Sequence, residues 1–148
     1  MAKLFVNIDV PEIERGVAFY TSAFGLRVGR RFGPTVVELA GAPVPIYLLE
    51  KPATTAPFAG AVTARDYARH WTPVHFDYAV EELDPALARA VAAGAQAESE
   101  ILTYPWGRIV YLADPFGHGF CLLQLDAAGY EALATPSAPA ETGRRPSG

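Results

Sequence analysis

One cysteine, Cys121, is the whole thiol content of this 148-residue chain, which excludes an intramolecular disulfide and any zinc site built from several cysteines. Long apolar runs are missing too. None approaches the roughly 20 residues that a membrane-crossing helix needs, and Met1-Ala2-Lys3 passes straight into a strand pattern rather than a signal peptide. Positive charge is scarce and scattered: the net charge is -4, and only Arg30-Arg31 and Arg144-Arg145 stand together. Neither a nucleic-acid partner nor a membrane partner is expected, and the expected compartment is cytoplasmic. Hydrophobic residues, by contrast, make up 51% of the chain, enough to bury a core at the size of one ordinary domain.

The strongest pattern is a duplication. Leu4-Phe5-Val6-Asn7-Ile8-Asp9-Val10 returns as Val74-His75-Phe76-Asp77-Tyr78-Ala79-Val80. Alternation gives each segment one apolar face, with Phe5, Asn7 and Asp9, or His75, Asp77 and Ala79, on the other. A helix follows each. Ile13, Val17, Tyr20 and Phe24 form one stripe and Gly25 its stop; Leu83, Leu87, Ala90 and Val91 form the other, with Asp84 as N-cap, Pro85 in the first turn and Gly94 at the end.

Three strands are expected after each helix: Leu26 to Phe32, Thr35 to Ala40 and Pro45 to Leu49, then Ala97 to Thr103, Arg108 to Ala113 and Gly119 to Leu125. Asp114-Pro115-Phe116-Gly117 suits a type I turn between the last two. The chain thus divides into a βαβββ module over 1–50, a linker over 51–71 with a helical turn at 65–70, a second βαβββ module over 72–126, and a C-terminal extension over 127–148 whose Pro- and Ser-rich end is expected to be mobile.

Several side chains carry chemistry. His75 is a candidate general acid or base, because imidazole titrates near neutrality and Asp77, on the same strand face, can orient it; the alternative is a hydrogen-bonded structural histidine. Cys121 sits in an apolar strand with no cationic neighbour, which favours packing over reactivity. Tyr47 offers a phenol, and Glu38 is either an internal acid or a solvent-facing carboxylate. Tyr104-Pro105-Trp106-Gly107-Arg108 joins aromatics to a cation, a combination able to stack on a planar ligand and pair with its anionic group. His118 is expected in solvent, and His70 as linker packing beside Trp71.

Val10-x-Glu12-Ile13, Phe19-Tyr20, Phe24-Gly25-Leu26, Ala93-Gly94-Ala95 and Asp114-Pro115-Phe116-Gly117-His118, in this order and duplicated, resemble the vicinal oxygen chelate superfamily of glyoxalase I, extradiol dioxygenases and bleomycin-resistance proteins. The resemblance implies an α+β fold in which two paired βαβββ modules form a cup-shaped, partly open, eight-stranded mixed sheet, and it implies a homodimer. It also places four metal-ligand positions at Phe5, Tyr47, His75 and Cys121, of which only His75 keeps the usual ligand type. A benzyl ring holds no cation.

The expected activity is therefore binding of a small, aromatic or partly apolar molecule in the cup, with no metal cofactor. Ligand-binding candidates are Phe5, Asn7, Tyr47, Asp77, Trp106, Arg108 and Cys121, and His75 is the candidate catalytic residue. The alternatives are a lyase or isomerase using His75 with or without a divalent metal, zinc on His75, Cys121 and Asp77 included, and a structural protein whose cup is filled by its own side chains.

Overall fold

The computed structural model describes residues 1–136; residues 137–148, which hold the Arg144-Arg145 pair and most of the tail expected to be mobile, lie outside the described residues. Alternation and helical periodicity place the elements where the duplication puts them: β1 (Val6–Val10), α1 (Ile13–Phe24), β2 (Arg27–Phe32), β3 (Val36–Ala40) and β4 (Ile46–Glu50), then β5 (Phe76–Ala79), α2 (Leu83–Ala93), β6 (Gln96–Ala97), β7 (Leu102–Tyr104), β8 (Gly107–Ala113) and β9 (Gly119–Leu125). The first four strands form a sheet ordered β1-β4-β3-β2; the others form a second sheet ordered β5-β9-β8-β6, with β7 also on β8. In each sheet the opening strand runs parallel to the closing one.

Among the described residues nine strands stand where eight were expected, because the segment expected at 97–103 is split. Glu98 N–H still donates to Tyr111 C=O at 2.8 Å, but Tyr111 N–H donates to Ser99 Oγ at 3.1 Å. A side-chain oxygen thus takes the place of a ladder carbonyl, and pairing resumes only at Leu102 opposite Ile109.

Both helices stop at glycines in the left-handed region, Gly25 at φ 65° and Gly94 at φ 118°, as the sequence indicates. Their starts differ from expectation. Asp84 is no N-cap; Glu12 and Glu82 occupy the cap positions without side-chain cap bonds. Ile13 N–H donates instead to Glu50 Oε2 at 2.8 Å, and Leu83 N–H to Gln124 Oε1 at 2.9 Å. Each module draws its helix cap from its own closing strand, at equivalent places in the repeat.

The two helices pack together, and one core runs through both modules: Ile8, Val10, Val37, Leu39 and Leu48 from the first sheet join Val110, Leu112, Phe120 and Leu122 from the second. Phe24 stacks on Tyr78 with ring centroids 3.9 Å apart and meets Phe120 edge-on at 5.4 Å. Burial on this scale is worth about 2 kcal/mol per large side chain, so the modules are joined by apolar area first. Polar pins add direction: Tyr20 Oη donates to Asp114 Oδ2 at 2.5 Å across the seam, and both residues are buried.

The expected helical turn at 65–70 does not form. Arg65 N–H donates to Thr55 C=O and Thr54 N–H to Arg65 C=O, while the Arg65 guanidinium reaches Asp9 at 2.7 Å. These bonds close the linker into a loop over 54–65 and tie it to β1. No helix of the described residues is long and apolar enough to cross a membrane.

Candidate functional site

Because β-strand side chains alternate, burying Ile8, Val10, Leu39 and Leu48 against the helices turns Asn7, Asp9, Glu38 and Tyr47 to the opposite face. Glu38, Tyr47 and Asn7 lie side by side on three adjacent strands. Glu38 is clamped: the Arg30 guanidinium donates to both its oxygens and Tyr47 Oη donates to Oε2 at 2.9 Å. The hydrogen bond from Arg30 holds the Glu38 carboxyl below its ordinary range, and the bond to Glu38 raises the Tyr47 phenol. Glu38 is therefore a committed anion rather than an acid. Phe5, half exposed, and Phe32 flank the Tyr47 ring at 6.1 and 6.2 Å.

The equivalent face of the second sheet carries Asp77, Cys121 and Tyr111 in the same register. His75 Nε2 lies 3.4 Å from Asp77 Oδ1, and its ring lies 4.9 Å from that of Trp71. Cys121 is fully buried beneath Trp106 and Tyr111, beside Ile109 and Leu123. Burial, followed by the charge of Asp77, pushes its thiol up to about 12, so the group is a packed, protonated S–H. Native protein should accordingly react with iodoacetamide at least about a hundredfold more slowly than urea-unfolded protein near neutral pH; comparable rates in the two states would show an activated thiol instead.

Trp106 and Arg108, expected to act together, are separated by the strand they flank. Trp106 stacks on Tyr104 at 5.5 Å, its planes 7° from parallel, and covers the Cys121 cluster. Arg108 stands opposite Gln124, the residue that caps α2, and so projects to the helix side, where its guanidinium donates to Asp84 at 2.9 Å. The cation is spent on the first turn of α2. It does not share a face with His75, Asp77 or Cys121.

A well-formed concavity lies at the seam, between β1 of one sheet and β5 of the other, and measures about 400 Å³, within the size range of small-molecule sites. Asn7 and Asp9 form one wall; Thr72, His75 and Phe76 form the other; Tyr20, Tyr78 and Phe120 lie at its base, with His70 and His118 at the side. All three histidines of the chain line it. His118 is not in solvent: its Nε2 bonds the Asp9 carbonyl at 2.7 Å and so ties the Asp114 turn to β1. His70 is exposed, as linker packing would not be, and its Nδ1 bonds the Ala68 carbonyl at 2.9 Å. Of the residues singled out by sequence, Asn7 and His75 come together here, while Phe5, Tyr47, Asp77, Trp106, Arg108 and Cys121 stand outside the lining.

Two βαβββ modules, a ligand-sized cleft at their seam and the aromatic base between them now bear comparison with known proteins. The sequence profile of the glyoxalase-like domain matches residues 5–123. The chain belongs to the glyoxalase-like domain family. Among solved structures, a glyoxalase-related enzyme from Fulvimarina pelagi superposes with a TM-score of 0.67 at 19% identity, over 84% of this chain and 88% of that one. The fosfomycin resistance protein FosX from Listeria monocytogenes gives 0.64 at 16% identity, over 86% and 95%. A lactoylglutathione lyase from Agrobacterium tumefaciens gives 0.57 at 19%, over 83% and 92%. At these identities the likeness is one of fold. No curated protein matches the chain by sequence.

Glyoxalase-like folds imply a metal shared between modules, and the residues at hand do not fit one. Phe5 offers no lone pair, and the Tyr47 hydroxyl is committed to Glu38, so the first module contributes no free donor at either position. The second module brings donor atoms of His75, Asp77 and Cys121 within 4.8 Å of one another. That set holds one carboxylate where a hard ion needs several oxygens, and three donors on one module where a structural zinc site takes four.

The residues that sequence reasoning missed are Thr72, His70 and His118. One local signal marked His118: it sits between Gly117 and Gly119, where the missing side chains let the linker lie close. A Cβ at Gly119 would meet the Trp71 ring at 2.6 Å.

Proposed function

We propose that this glyoxalase-like protein binds a small, partly aromatic molecule in the seam cleft, without the metal its fold is associated with. One observation carries the reading: the cleft is walled by the first strands of both modules and based on Tyr20, Tyr78 and Phe120, so it combines aromatic contact area with a few polar groups, the usual composition of a small-molecule site.

Filling the cleft tests this. Asn7 is exposed on the wall, and Asn7→Trp should weaken binding of an aromatic probe such as tyramine at least about thirtyfold while thermal stability changes little, since exposed substitutions cost within about 0.5 kcal/mol. Undiminished binding by isothermal titration calorimetry would place the ligand elsewhere.

A second reading, a lyase or isomerase in which His75 moves a proton beside a carbonyl, rests on one observation: the imidazole lines the cleft with Asp77 at 3.4 Å. A His75→Gln variant that binds ligand normally yet loses turnover would support it. The reading also includes a homodimer, supported by Phe5, Val28 and Phe32 exposed on one sheet and Leu102 and Tyr104 on the other; light scattering after size exclusion would measure it.

A further inference from the structure

Four polar side chains of the cleft, Tyr20, His70, Thr72 and His118, have already committed a proton within the fold. Thr72 Oγ1 donates to the Val74 carbonyl at 2.5 Å. The Tyr20 hydroxyl, at the base, donates to Asp114. The two histidines at the side each bond a main-chain carbonyl, which can only accept, so the bonded nitrogen must carry the hydrogen: Nδ1 in His70, toward Ala68, and Nε2 in His118, toward Asp9. In the neutral ring the other nitrogen is then a bare lone pair. An occupant that hydrogen-bonds either ring meets Nε2 of His70 or Nδ1 of His118, an acceptor in both cases.

Charge points the same way. The Asp9 carboxylate lines the cleft, paired with Arg65, and Arg69, next to the lining residue His70, is engaged with Glu98. With Arg108 turned to α2, the anion-recognising cation expected from sequence is absent from this site. A carboxylate or phosphate held against His70, Thr72 and His118 would lose water and find lone pairs opposite its own.

We infer that the seam cleft selects aromatic molecules whose polar groups are hydrogen-bond donors, amines and hydroxyls, and discriminates against organic anions. The inference rests on the cleft being the binding site and deepens that reading by naming the ligand class. His70, Thr72 and His118 become the specificity-determining residues, each through a lone pair that the fold itself has left open.

The test compares tyramine, which carries an ammonium and a phenol, with phenylacetate, of similar ring and reach but anionic. Calorimetry at mildly alkaline pH, where unperturbed imidazole is neutral, should show tyramine binding at least about tenfold more tightly. Thr72→Val and His70→Phe, both at exposed positions, should each weaken tyramine about three- to tenfold, the cost of one hydrogen bond, and leave phenylacetate unchanged. Nitrogen NMR of the imidazole rings gives a readout independent of any ligand: His70 protonated at Nδ1 and His118 at Nε2. Phenylacetate binding as tightly as tyramine, or the opposite tautomers, would overturn the inference while leaving the cleft as the site. Failure of both probes to bind would overturn the site and the inference together.

Discussion

Asp114→Ala should cost about 3–5 kcal/mol of folding stability, read as a lowered urea midpoint with an unchanged slope. Asp114 is the one buried polar or charged side chain among the described residues, 4% exposed, and it accepts three hydrogen bonds: from the Tyr20 hydroxyl at 2.5 Å and from the main-chain N–H groups of Phe116 and His118 at 2.8 and 2.9 Å. Removing it strands the Tyr20 hydroxyl in the core and frees the turn that carries His118 to the Asp9 carbonyl. Each bond to a charged acceptor is worth about 1.5–3 kcal/mol, and the loss is less than their sum because water enters the turn. Asp114→Asn, which keeps acceptor capacity, should lose less than half as much. An alanine variant as stable as the parent would mean that apolar contact alone fixes the two modules.

Gly107→Ala should be comparably severe, at about 3–5 kcal/mol. Gly107 opens β8 at φ 147°, and a methyl there would collide with the carbonyl of Gln124 on the paired strand. Both partners are backbone, so relief requires the β8–β9 ladder to open at its end. That shift moves Gln124, whose side chain caps α2, and lifts Trp106 from the Cys121 cluster. Iodoacetamide labelling of Cys121 should then accelerate in the variant under native conditions. A small loss of stability without accelerated labelling would show that the strand end yields freely.

Much of this fold is legible in the sequence because it is encoded within single elements. The returning Val6-to-Val10 pattern, the stripes from Ile13 to Phe24 and Leu83 to Val91, the stops at Gly25 and Gly94 and the Asp114 turn all depend on neighbours a few residues away. The errors share the opposite property. Asp84 has the composition of a cap, but the bonds that cap the helices come from Glu50 and Gln124, 37 and 41 residues distant. Arg108 follows Trp106 as an anion-binding residue would; a single strand does not say which of its faces a helix will cover. His118 bonds a carbonyl 109 residues away.

The candidate site was only partly legible for the same reason. Strand alternation placed Asn7 and His75 correctly on the face away from the core. The cleft, however, exists between two modules, and His70, Thr72 and His118 come from the end of the linker, the stretch before β5 and a turn, which carry no periodicity. What those groups offer an occupant depends on where their protons go, and that is decided by the carbonyls of Asp9, Ala68 and Val74.

Amide chemical-shift mapping during a titration with tyramine measures directly whether the ligand sits at the seam. Perturbations should concentrate on Asn7 to Asp9, Thr72 to Tyr78 and Gly117 to Phe120. Shifts confined to the Tyr104–Trp106 turn, or to Phe5, Phe32 and Tyr47, with the seam unmoved, would contradict that placement.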